Sequence, residues 1–85
     1  MRYVIERRGG LAGLRASGTV DGNDLNPADR EELERLLTTE GPLAQSGADR
    51  YTYLVTRHAA SGTTTREIPE GVLPEAVANA VAVDL

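Results

Sequence analysis

Two short alternating stretches near the start of the chain flank a glycine-rich segment, and no other feature restricts the fold as much. Residues 2–8 place Tyr3 and Ile5 on one face and Val4 and Glu6 on the other. Residues 14–20 place Leu14, Ala16, Gly18 and Val20 on one face and Arg15, Ser17 and Thr19 on the other. A period of two is the signature of a strand with one buried face. The runs are close in sequence and joined by Gly9-Gly10-Leu11-Ala12-Gly13, which predicts an antiparallel hairpin. Glycine is costly to order, so such a joint implies either backbone angles that only glycine adopts or a projecting loop that touches a partner.

The rest of the chain supplies material to cover that hairpin. Asp21-Gly22-Asn23-Asp24 is a turn cluster. Asn26 then stands as an N-cap before Pro27, and Asp29, Glu31 and Glu32 place negative charge at the start of a helix. Leu33, Leu36 and Leu37 form its apolar stripe. Residues 38–49 carry two glycines and a proline and are expected to be a loop. Tyr51–Arg57 alternates as a strand, with Tyr51, Tyr53 and Val55 on one face. His58–Gly62 is expected as a hairpin connection, and Thr63–Ile68 as a returning strand polar enough for a sheet edge. After Pro69 and a turn at Glu70-Gly71, Leu73 to about Val83 is expected to be helical, with Val77, Ala80 and Val81 facing one way. The expected fold is α+β: a single small domain, residues 1–85, with an antiparallel sheet of about four strands in β-β-α-β-β-α order packed by two helices.

With no Trp, no Phe and three Tyr, the core must come from Leu, Val, Ile and Ala. A chain of this length buries only about 60–65 % of its unfolded surface. Absence of cysteine removes disulfides, thiolate chemistry and zinc ribbons. All nine basic residues are arginine, and the net charge is −4, which argues against a nucleic-acid footprint. The start carries no apolar signal-peptide core and no run is long enough to span a membrane, so a cytoplasmic location is expected.

Chemistry-bearing residues do not converge in the sequence. His58 is the only histidine, and no acid is spaced with it as a metal ligand. Ser61 lies too close to it in a turn to form a nucleophile–base pair with a third orienting group. Asp21–Asp24 lacks the later ligands of a calcium loop. Gly9–Gly13 lacks the Lys and Ser/Thr of a phosphate loop and precedes a strand instead of a helix. No catalytic residue, cofactor or metal is expected, and a binding protein is what remains.

The chain resembles the emfourin family, small bacterial inhibitors of thermolysin-like (M4) metallopeptidases that are often encoded beside a protealysin-like protease. The resemblance rests on Arg7-Arg8-Gly9-Gly10-Leu11-Ala12-Gly13-Leu14-Arg15 after a short first strand. It continues through the acidic turn and leucine-rich helix of Asp21–Leu37, the strand Asp49–Val55, and Leu73-Pro74-Glu75. Leu11 stands where many members carry a larger apolar residue. The resemblance implies an M4 zinc metallopeptidase as partner and a non-enzymatic, monomeric inhibitor. Its contact residues would be Arg8, Gly9, Gly10, Leu11, Ala12 and Gly13, with Leu11 entering the pocket beyond the scissile bond and Arg7, Arg8 and Arg15 forming a basic rim. Without the resemblance, the reading leans to Leu11 folding inward to plug the hairpin end. The competing class is an assembly module with no protease target, pairing through the edge strand Thr63–Ile68.

Overall fold

The computed structural model of the protein describes residues 1–9, 16–41, 43 and 51–83. The chain opens with β1 (Arg2–Gly9) and returns as β2 (Ala16–Asp21), antiparallel and in register from Arg2↔Asp21 to Arg7↔Ala16. Tyr3, Ile5, Ala16 and Val20 are buried, as the alternation requires. A 3₁₀ turn at Gly22–Asp24, held by the Asp21 carboxylate accepting from the Asn23 amide at 2.9 Å, leads into helix α1 (Pro27–Thr38). Asn26 caps α1 by accepting from the Asp29 amide at 2.8 Å, and Leu33, Leu36 and Leu37 are its buried stripe.

Two long strands follow, β3 (Tyr51–Ala59) and β4 (Gly62–Pro69). The expected connection His58–Gly62 is tighter than its polarity suggested. His58 pairs with Thr63 and Ala59 with Gly62, leaving only Ala60 and Ser61 in the turn. His58 faces solvent from within the strand, so its polarity costs the ladder nothing.

The expected helix from Leu73 to Val83 is the main correction. After a 3₁₀ turn at Glu70–Val72, α2 spans only Glu75–Ala78, and the chain then extends into β5 (Ala82–Val83), which pairs with Ala16 and Ser17 of β2. The valines after Ala80 are β-branched and prefer extended backbone, and the free edge of β2 offers them hydrogen-bond partners that a helix would forgo.

The sheet is antiparallel throughout, in the order β4-β3-β1-β2-β5. The first strand is therefore central and β4 is an edge. The helices cover one face only. Beneath them, Tyr3, Ile5, Val20, Leu25, Leu33, Leu36, Leu37, Tyr53, Val55, Ile68, Leu73 and Val77 make the core. The opposite face, with Val4, Glu6, Arg8, Thr19, Leu54, Thr56 and Thr65, is left open by the described elements. The α+β class and the β-β-α-β-β-α order hold, with β5 added at the end.

Polar contacts fix α1 on the sheet at two points. Tyr3 donates to Glu34 Oε2 at 2.9 Å, and Arg57 donates to the other oxygen of the same carboxylate at 2.6 Å and to Thr64 Oγ1 at 3.1 Å. Arg66, on β4, donates to the carbonyls of Thr39 and Gly41, taking up acceptors left free where the helix ends.

Candidate functional site

The register gathers Arg7, Arg8, Gly9 and Tyr51 at one end of the sheet. Gly9 pairs with Tyr51, Ala16 with both Arg7 and Val83, and Thr52 with Pro69. The described part of β1 thus ends at Gly9, beside β3, and β2 begins at Ala16, beside β5. Gly9 has φ 99°, a left-handed value that a side chain would strain. Of the predicted contact residues, Arg8 and Gly9 are described and exposed, whereas Gly10, Leu11, Ala12 and Gly13 lie outside the described residues, as do Leu14 and Arg15. The alternatives for Leu11, outward or plugged, both fall there.

Arg7 and Arg8 part company at this end. Alternation along β1 turns Arg8 to the open face, where its guanidinium reaches Glu6 Oε1 at 3.4 Å and Glu67 Oε1 at 3.3 Å. Arg7 goes to the helix face and lies over the ring of Tyr51, 4.4 Å from guanidinium carbon to ring centroid. Tyr53, directly opposite Arg7, is buried. Its hydroxyl is pushed above the ordinary tyrosine value by burial, with the positive charge of Arg7 opposing and the negative charge of Glu70 assisting. The sequence singled out the arginines as a group. The tyrosine beneath one of them was visible only as a strand residue, because its partner lies on a distant part of the chain.

The remaining candidates stay apart. His58 is exposed at the other end of the sheet, on the open face opposite Thr63, and Ser61 lies in the neighbouring turn. Among the described residues no three of His, Asp and Glu are grouped to hold a metal ion. No described helix is long and apolar enough to cross a membrane.

What remains is the sheet end at Arg7–Gly9 on a small α+β body, and the chain matches a family pattern. The pattern that defines the Emfourin family matches residues 5–83, from the middle of β1 to the last residue of β5. The chain belongs to the Emfourin family. The Emfourin family is known by name as a family of protease inhibitors. No curated protein and no solved structure matches the chain.

Proposed function

We propose that this Emfourin-family chain inhibits thermolysin-like (M4) zinc metallopeptidases by placing the Arg8–Gly13 segment in the active-site cleft, with Leu11 in the pocket that receives the side chain after the scissile bond. The observation that carries the reading is the mounting of this segment. It interrupts the hairpin that begins on the central strand of the sheet, at a glycine with left-handed backbone. Arg8 and Gly9, at its start, are held by pairing with Thr52 and Tyr51, so this end of the segment loses little further freedom on entering a cleft. Glycines beside Leu11 allow the two backbones to approach closely.

Magnitudes limit what Leu11 does alone. Filling a pocket with one leucine is worth about 1.5–3 kcal/mol, so tight inhibition needs a contact of roughly 800 Å² per partner around it. The test is an inhibition assay against thermolysin and a protealysin-like peptidase. Leu11→Asp, which would set a charge in an apolar pocket, is expected to weaken inhibition at least about tenfold, since each 1.4 kcal/mol is a decade. A folded L11D protein that inhibits as well as its parent removes the pocket contact.

A second reading draws on the position of β4. It is an edge strand of eight residues, and none of the described residues pairs along its outer side. An assembly module using that edge would form a self-complex that ignores an M4 peptidase. Size-exclusion chromatography with and without the peptidase separates the two readings.

A further inference from the structure

Building on the inhibitory contact just described, we propose that Arg7, and not Arg8, is the cation that binds a carboxylate of the inhibited protein at the rim of its cleft. The two arginines are adjacent in sequence, and the resemblance counts Arg8 among the contact residues and both in the basic rim. The fold separates them. Arg8 lies on the open face with its charge shared between Glu6 and Glu67. Moving it to a partner means breaking contacts it already has. Among the described residues, no carboxylate lies within ion-pair distance of Arg7.

The setting of Arg7 also favours recognition. Its guanidinium carbon lies over the Tyr51 ring, 4.4 Å from the centroid, and the residue is half-buried. Stacking on an aromatic ring holds the planar group in one orientation and leaves its N–H donors in the plane of the fork. A pre-oriented fork matches a carboxylate, which accepts two parallel hydrogen bonds from it. Tyr51 pairs with Gly9, so this cation stands beside the point where the chain leaves the sheet. A carboxylate reaching it would sit at the mouth of a cleft entered by the following residues. Tyr53, the other near neighbour, offers only a hydroxyl and cannot neutralise the charge.

Progress-curve inhibition of thermolysin at low and moderate salt tests the assignment. Arg7→Gln is expected to weaken inhibition by about tenfold or more and to flatten the fall of the association rate with salt. Arg7→Lys keeps the charge without the stacked plane and is expected to fall between R7Q and the parent. Arg8→Gln is expected to cost less than R7Q, and Arg35→Gln, on the far helix, to change nothing. Thermal unfolding of each variant checks the fold, and if R7Q does not fold, R7K carries the comparison against R8Q. Equal inhibition by R7Q and the parent, a larger loss for R8Q, or loss in R7Q with an unaltered salt dependence overturns the assignment while leaving the cleft contact standing. A parent protein that inhibits no M4 peptidase overturns the inhibitory reading itself, and the role of Arg7 with it.

Discussion

Tyr3 shows how much one side chain in this fold depends on residues far along the chain. Its ring is fully buried and its hydroxyl donates to Glu34, a residue 31 positions away. Burial, then the hydrogen bond and charge of Glu34, push its pKa up to about 12. The folded protein therefore holds this proton to higher pH than the unfolded chain, which releases it near pH 10. The resulting stabilisation is complete below pH 10 and is lost as pH rises from 10 towards 12. Urea midpoints measured from pH 8 to pH 11 are expected to be level and then to drop. Tyr3→Phe is expected to lose about 1 kcal/mol at neutral pH and to show a shallower alkaline drop. An equally steep drop in Y3F would assign the alkaline transition to other groups. The buried position of Tyr3 was legible from alternation in residues 2–8. Its acceptor was not, because Glu34 carries no signal beyond its place on the polar flank of a helix.

At the scale of elements, the two helices differ in how they are specified. The α1 helix carries its own start signal in Asn26-Pro27 and its own apolar stripe, and it forms where the sequence predicts it. The segment after Leu73 has no such closure. Its helix stops after four residues, and its continuation is decided by the neighbour it lands on. Gly18 is that neighbour: a Cβ there would strike the carbonyl oxygen of Ala80 and lie 3.1 Å from the Val81 Cα. The missing side chain is what lets the 80–81 backbone lie against β2 before Ala82 and Val83 pair with its edge. Gly18→Ala is expected to cost roughly 1–3 kcal/mol, as overpacking does. It should also speed amide exchange in Ala82 and Val83 more than in β3. Uniform exchange through the sheet would mean that this contact is not what retains the C-terminal strand. Within the sequence, Gly18 looked like one more small residue on the buried face of a strand. Its close approach to Ala80 became visible only with both segments in place.

At the scale of the whole molecule, the described residues form a sheet with one face covered and one left open, and this asymmetry sets where substitutions hurt. Val55 and Leu54 are neighbours in β3, yet Val55 is fully buried under the helices while Leu54 is half-buried on the open face. Val55→Ala is expected to cost about 2 kcal/mol in urea unfolding because it leaves a cavity. Leu54→Ala is expected to cost under about 1 kcal/mol, because its apolar surface is already partly in water. Equal costs would mean that something also covers the open face in solution. By itself the sequence determined the alternation of β1, β2 and β3, the start and stripe of α1, the polar character of β4 and the glycine joint after Arg8. Each of these is written within a few residues, as a period or a cap. Only the tertiary structure decided that the first strand lies in the middle of the sheet, that the chain's last described residues form a strand, and that Arg7 and Arg8 meet different surroundings. Those outcomes depend on contacts between distant segments, where packing and pairing outweigh local preference.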